Sequence, residues 1–359
     1  MKKKNLNLQF FKFVYSWIII LFHLSNETAL HWNGGYFGVD FYLLVAGYFM
    51  FSSYNGQIEK GELQSPYRYL KKRFFRLFPW CLTAFLFAVC IRYGVIERIH
   101  SPVILLDRFS GDIWEILMIK WSGINNGLNL VNGPDWTMSS MCIAGFLIWS
   151  CLYIDKRRFL YLLMPLSLML GFGVWQHLSS ASVDAWTGFT TFGTMRAWLV
   201  MCLSYYSVCL VKHMQKTPFN FKGKTLLTAT EVLIHIFVIV VMMHRASKYY
   251  QWMIILLFMI EISIAMSGHS YLSKLLQGNR FIEYLGELSM SLFLMHSPLM
   301  HLFSWKYDMT AWSYVQLIPF FITVLVAAII HHAFTKWIIS VARAWKDRLR
   351  KLVISDLTV

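Results

Sequence analysis

The feature that most constrains this chain is a pair of apolar runs near its start, at 10–25 and 36–53, joined by a short polar turn. Apolar runs with so few charges predict membrane-crossing helices. The first run carries two ionisable residues, Lys12 and His23, eleven positions apart. At about 100° and 1.5 Å per residue, both fall on one helix face and stand roughly 16 Å apart, about half the hydrocarbon thickness. The pair therefore predicts a site that reaches across the bilayer.

Composition extends this interpretation to the whole chain. The 359 residues are 57% hydrophobic and only 14% charged, whereas a soluble domain carries about a quarter charged residues. We predict an all-α, polytopic integral membrane helix bundle of about ten transmembrane helices. The predicted spans run approximately over 10–25, 36–53, 75–93, 134–153, 159–176, 196–211, 226–243, 252–267, 284–303 and 313–339. The six cysteines lie in apolar runs without a CxxC pair, so we predict no metal site.

The net charge of +15 is best explained by membrane topology. With the N-terminus inside, 23 of the 33 Lys and Arg residues fall in cytoplasmic segments and 6 in outside loops. This asymmetry predicts cytoplasmic N- and C-termini and argues against nucleic acid as a partner. No small-residue cleavage site follows the first span, so we expect it to remain as an anchor. We predict a transmembrane domain over 1–345 and a short basic cytoplasmic tail over 346–359.

Ionisable residues inside membrane spans usually face a cavity or a partner. As a neutral imidazole, His23 can take a proton from an attacking hydroxyl, although a packed histidine is the alternative. Lys12 can bind phosphate or orient an acyl donor, or its ammonium can reach the lipid headgroups. Asp40 lies at about the depth of His23 and can orient that imidazole or cap its own helix. Nearby glycines, Gly34, Gly35, Gly38 and Gly47, permit close helix approach.

Outside the first two spans, a basic run is the clearest signal. It includes Lys72, Arg73 and Arg76, ahead of Pro79. Such a run usually indicates a cytoplasmic location and attraction to anionic membrane lipid. A more specific interpretation is that it binds a polyanionic donor such as coenzyme A. The longest outside loop, 94–133, either covers a substrate site or is a plain connection.

Later spans add further candidates. Trp136 opens the fourth span and Arg196 the sixth. Glu287 and His296 lie nine residues apart in the ninth span, which turns them to opposite faces of a helix. The adjacent pair His331 and His332 is assigned to packing or to the interface.

Together these stretches resemble the membrane-bound acyltransferase 3 family, over nearly the whole chain. The family's first helix has an arginine, ten residues and a histidine, which correspond here to Lys12 and His23. GVDFYLLVAGYF is similar to its second-helix pattern, KKRFFRLFP to its basic loop and LGELSMSLFLMHSPL to its late helix. Lysine replaces the family's arginine at position 12, and Met141 stands near the place where many members carry a glutamate.

The resemblance implies an O-acetyltransferase of the bacterial cytoplasmic (inner) membrane. Acetyl-CoA would be the donor substrate, with no bound cofactor, and a lipid-linked or polymeric surface glycan the acceptor. It implies catalytic roles for His23, as base or brief acyl carrier, Lys12 and Asp40. It assigns the donor phosphates to Lys72, Arg73 and Arg76, and cavity or supporting positions to Trp136, Arg196, Glu287 and His296. The alternatives are a transporter or flippase of lipid-linked sugar and a polysaccharide polymerase.

Overall fold

The computed structural model describes residues 5–120, 131–178, 183–244 and 248–356, and these residues form helices and no β-strand. A 3₁₀ turn, Gly35–Phe37, precedes the second α-helix, and π-helical segments, Cys90–Ile96 and Phe159–Leu163, follow the third and the sixth. The α-helices are α1 (Leu6–Ser25), α2 (Gly38–Glu59), α3 (Pro66–Val89), α4 (Pro102–Ile116), α5 (Asp135–Ile154), α6 (Lys156–Arg158), α7 (Met164–His177), α8 (Phe192–Lys216), α9 (Phe221–His244), α10 (Lys248–Ser267), α11 (Tyr271–Leu275), α12 (Arg280–Lys306) and α13 (Ile318–Asp356).

The all-α membrane bundle is confirmed, and every predicted span overlaps a long helix. Among the described residues, eight helical stretches are long and apolar enough to cross a membrane. The two predicted spans outside that set are α2 and α12. Both carry a buried polar group, Asp40 in α2 and His296 in α12, and both pack deep in the bundle. The count of ten spans and the orientation of the termini stay predictions.

Contacts at one end of the bundle join segments predicted to be cytoplasmic or to border on them. Asn5 donates to the carbonyl of Ala265 at 2.7 Å, and Lys212 pairs with Glu59 at 3.3 Å. At the opposite end, Trp32 donates to the hydroxyl of Tyr314 at 2.9 Å. We call these the inner and outer ends.

Small residues let the central helices approach closely. A Cβ added to Gly47 would lie 2.7 Å from the carbonyl oxygen of Met201, where α2 crosses α8. A Cβ added to Gly35, in the turn between α1 and α2, would lie 2.5 Å from the Cβ of Phe22. Real Cβ atoms do not approach so closely, so Gly35 and Gly47 permit the close approach that the sequence predicted for them.

The outer loop contains a helix that the sequence analysis did not predict, α4. Ser101 caps it by accepting the backbone N–H of Ile104, and Pro102 occupies its first position. Both are recognised helix-start signals and were available in the sequence. The turn-rich part of the loop, 121–130, lies outside the described residues. The helix α13 continues through position 345 to Asp356, and the domain boundary there stays a prediction.

Candidate functional site

A cavity of about 560 Å³ opens at the inner end of the bundle and collects most of the predicted cations. Lys12 of α1 meets Lys72, Arg73 and Arg76 of α3 in its lining. Lys72 and Arg73 lie four and three positions before Arg76, so all three α3 residues fall on one broad helix face. Uncharged side chains complete the described lining, among them Met138, Met141 and Met290, and no carboxylate is among them. The cavity therefore combines concentrated positive charge with an apolar wall.

Arg73 is the most firmly held of these cations. It is 7% exposed, and its Nη1 donates to the hydroxyl of Tyr69 at 2.9 Å. The Tyr69 ring stacks on Trp149 with 4.4 Å between centroids. Arg73 Nε has no hydrogen-bond partner among the described residues. A guanidinium fixed on one side and unsatisfied on another can grip an anion at little entropic cost.

A second cavity, of about 760 Å³, opens at the outer end and includes His23. His296 of α12 faces the same cavity, with 5.2 Å between the two ring centroids. Trp136 lines it as predicted, and Trp305 contributes a second indole. His23 and Lys12, which the sequence places on one stripe of α1, therefore open into different cavities.

Charged residues at the rim of the outer cavity were missed by the sequence analysis. Arg92 and Glu97 form an ion pair at 3.0 Å, and Asp184 lies nearby in the same lining. Arg92 belongs to the π-helical extension of α3, whose register a regular helix pattern does not give. The one available signal was a pair of opposite charges five residues apart.

The loop that enters the outer cavity is fixed by Glu115 of α4. Its carboxylate accepts the backbone N–H groups of Val131 at 2.9 Å and Asn132 at 2.8 Å. These residues lead directly into Gly133 and Pro134, which line the cavity. Burial raises the pKa of Glu115 to about 7, against the opposing effect of these two hydrogen bonds. The two hydrogen bonds to Glu115 therefore hold the start of α5, and with it Trp136, in position.

Two aromatic rings separate the cavities. Tyr42 belongs to the inner lining and Phe293 to the outer one, and their centroids are 6.0 Å apart. The Tyr42 hydroxyl donates to the carbonyl oxygen of Lys12 at 2.5 Å and lies 2.6 Å from the hydroxyl of Ser16. A substrate that spans both cavities would pass beside these rings.

Asp40 requires a correction, because the structure pairs it with Arg196 and not with His23. Asp40 Oδ1 accepts from Arg196 Nε at 2.8 Å, and Oδ2 accepts from Gln251 at 2.9 Å. Both charged side chains are buried, so Arg196 does not line the cavity as predicted. A charge inside a membrane bundle needs a partner, and here the pair joins α2, α8 and α10.

Glu287 of α12 contacts α13 and not a cavity. Its carboxylate accepts from Lys336 Nζ at 2.6 Å and lies 3.8 Å from His332 Nε2. These contacts tie α12 to α13, and Glu287 lines neither of the two cavities. His296 lines the outer cavity and Glu287 does not, as expected for residues on opposite faces of α12, and the supporting role of Glu287 stays a prediction. A half-turn offset on one helix explains why Glu287 and His296 have different neighbours.

Comparison with protein families assigns this architecture. A family model described as "Acyltransferase domain", that of the acyltransferase 3 family, matches residues 5–333. The match includes both cavities and all ten site residues named from the sequence. No curated protein and no solved structure matches the chain.

Proposed function

This chain belongs to the acyltransferase 3 family, and on that premise we propose that it moves an acetyl group from cytosolic acetyl-CoA to a hydroxyl of an extracytoplasmic surface polysaccharide. O-antigen, capsule and exopolysaccharide are the acceptor classes we have in view, and the bacterial inner membrane is the proposed location. Membership makes the chain a membrane acyltransferase and favours acyl transfer over the transporter and polymerase alternatives. The observation that carries the finer proposal is the pair of oppositely placed cavities joined along α1.

The inner cavity supports coenzyme A as the carrier of the acyl group. Coenzyme A ends in a nucleotide with several phosphates and continues into a long, mostly neutral arm. Lys72, Arg73 and Arg76 present charge for the phosphates, and Arg forks bind phosphate oxygens in pairs. The apolar wall beyond them suits the arm, and Lys12 lies further along α1. A polyanion that binds here points its acyl end toward Tyr42 and Phe293.

The outer cavity supports a sugar acceptor. Trp136 and Trp305 supply flat apolar surfaces, while Arg92, Glu97 and Asp184 supply hydrogen-bonding groups of both signs. A site with a few placed polar groups around aromatic side chains is typical of small-molecule and sugar recognition. The mixed charge fits a neutral, hydroxyl-rich ligand better than a polyanion.

The reaction requires the thioester to reach the outer cavity beside the two rings. There the acceptor oxygen bonds to the acyl carbon and the carbon–sulfur bond breaks. The hydroxyl proton passes to a base, and the thiolate takes up a proton and leaves as free coenzyme A. In this arrangement His23 contacts the reacting groups, and the cations of the inner cavity hold the donor without touching them.

Transfer of radiolabelled acetyl from acetyl-CoA into polysaccharide tests the proposal. Membranes of a deletion strain that carry the wild-type protein should label the strain's own polysaccharide, and membranes without it should not. Mass spectrometry of polysaccharide from the deletion strain distinguishes the alternatives. Lost acetyl groups support the proposal, whereas shortened chains indicate a polymerase and an accumulated precursor indicates a flippase.

A further inference from the structure

His23 and His296, two of the three histidines that line the outer cavity together with His301, differ in how they are held. His296 Nδ1 lies 2.7 Å from the carbonyl oxygen of Phe293, one turn earlier in α12. Because a carbonyl oxygen can only accept, Nδ1 carries the ring proton of the neutral imidazole. Nε2 then holds a lone pair on the far edge of the ring. For His23 the structure shows no hydrogen bond to either ring nitrogen within the described residues, so nothing fixes its tautomer.

His296 Nε2 is buried and has no hydrogen-bond partner among the described residues. The side chain is 1% exposed and lines the outer cavity. A buried acceptor without a partner is costly, and the cavity gives a ligand access to this one. A ligand hydroxyl that enters the cavity and donates to Nε2 would satisfy it.

His331, a buried histidine that lines neither cavity, is held differently. His331 has both nitrogens engaged, with Ser291 at 3.0 Å and Thr83 at 2.9 Å. His235 contacts Tyr15 at 2.8 Å and the carboxylate of Glu261 at 3.3 Å. His235 Nε2 and both ring nitrogens of His332 also have no hydrogen-bond partner among the described residues, but each of these rings lies beside a carboxylate and lines neither cavity, whereas His296 lines the outer cavity. His332, beside the Glu287 carboxylate, lines neither cavity.

We propose that His296 is the general base that accepts the proton of the acceptor hydroxyl, an inference that rests on the proposed acyl transfer. A hydrogen bond to one ring nitrogen orients an imidazole so that the other nitrogen can accept a proton. Nε2 takes the hydroxyl proton as the acceptor oxygen bonds to the acyl carbon, and returns it to the thiolate that leaves. One hydroxyl and one thioester thus give one ester and one thiol.

This assignment gives His23 a different task. With its ring beside that of His296, it can donate an N–H to the carbonyl oxygen of the thioester, where negative charge develops. Donors of this kind are worth about 10²–10³-fold in rate. An amide at position 23 can also donate, whereas an amide at position 296 cannot take up a proton. The two positions should therefore respond differently to glutamine.

The main test is His296→Asn, measured as radiolabelled acetyl transfer in the membranes described above. An asparagine amide can keep the bond to the Phe293 carbonyl but lacks the basic nitrogen. We expect transfer to fall about 10²–10⁴-fold, with unchanged protein level and detergent elution profile. His244→Asn is the matched control, because His244 Nδ1 makes the same type of contact, 3.0 Å to the Val240 carbonyl, while lying exposed outside both cavities. It should transfer at the wild-type rate.

Two further measurements keep the proposal falsifiable. Added imidazoles should restore transfer by His296→Ala, with a rate that rises with their basicity. His23→Gln should retain at least tenfold more transfer than His296→Gln. The proposal is overturned if His296→Asn transfers within threefold of wild type, if no imidazole restores His296→Ala, or if the order of the two glutamine variants is reversed. Failure of the wild-type protein itself to transfer label would instead reject the proposed function.

Discussion

The inner and outer cavities are similar in size, about 560 and 760 Å³, and opposite in chemistry. The described inner lining holds four cations and no carboxylate. The outer lining mixes histidines, an ion pair and two tryptophans. A membrane enzyme that joins a cytosolic polyanion to an extracytoplasmic hydroxyl needs this division, because one site must attract phosphate while the other must move a proton. The difference assigns donor and acceptor to opposite ends of α1, and each prediction below tests that assignment.

The largest effect is expected outside both cavities, at Asp40. Its carboxylate is shared by Arg196 and Gln251, so Asp40→Asn leaves a buried guanidinium without a counter-charge. Removing one partner of a buried ion pair costs about 3–5 kcal/mol. We expect a lower thermal-unfolding midpoint in detergent and less folded protein. Transfer per folded molecule should stay within a few-fold of wild type, because Asp40 does not contact His23.

A paired variant sharpens this prediction. Asp40→Asn combined with Arg196→Met removes both charges and should regain part of the lost stability. If Asp40→Asn folds normally but transfers no acetyl group, Asp40 takes part in the reaction. The residues that line the two cavities would then not account for catalysis alone.

His23→Ala should cause the next largest loss. Removing a donor to the developing oxyanion lowers the rate about 10²–10³-fold, measured as label transferred to polysaccharide. Because His23 opens only into the outer cavity, acetyl-CoA binding should be unchanged in a filtration assay. His244→Ala is the control for loss of an imidazole. Normal acetylation by His23→Ala would remove His23 from the reaction, and weakened acetyl-CoA binding would break the division between the cavities.

The helical bundle was largely predictable, because each apolar run and each loop charge is a local feature that can be interpreted without knowing which helices pack together. The α1 stripe and the α3 face follow from helix geometry in the same way, and both are found in the structure. Pairings between distant helices are not encoded in local spacing. Asp40 and Arg196 are 156 positions apart, and the sequence of neither segment identifies the other as its partner. The orientation of His296 depends on a contact with the Phe293 carbonyl of its own helix, which helical periodicity does not predict.

Arg73→Ala tests the inner cavity with an intermediate effect. A charge-assisted hydrogen bond contributes about 1.5–3 kcal/mol, which corresponds to a rise of roughly 10–100-fold in KM for acetyl-CoA. We expect kcat to change little, since Arg73 lies far from the reacting atoms. Lys71→Ala is the matched control, because Lys71 lies on the same helix but is exposed and outside the cavity lining. Equal effects of the two variants would indicate general attraction by the basic run and not a defined site.

The smallest effect is expected for Lys12→Arg. Lys12 lines the inner cavity beside three other cations, and arginine keeps the charge while adding a planar fork. If this position only holds the donor, Lys12→Arg should transfer acetyl within threefold of wild type, whereas Lys12→Gln should raise KM for acetyl-CoA about tenfold or more. Complete loss in Lys12→Arg would mean that the shape or acidity of the ammonium group itself is used. The inner cavity would then share in the chemistry, and the contrast between the two ends of α1 would no longer hold.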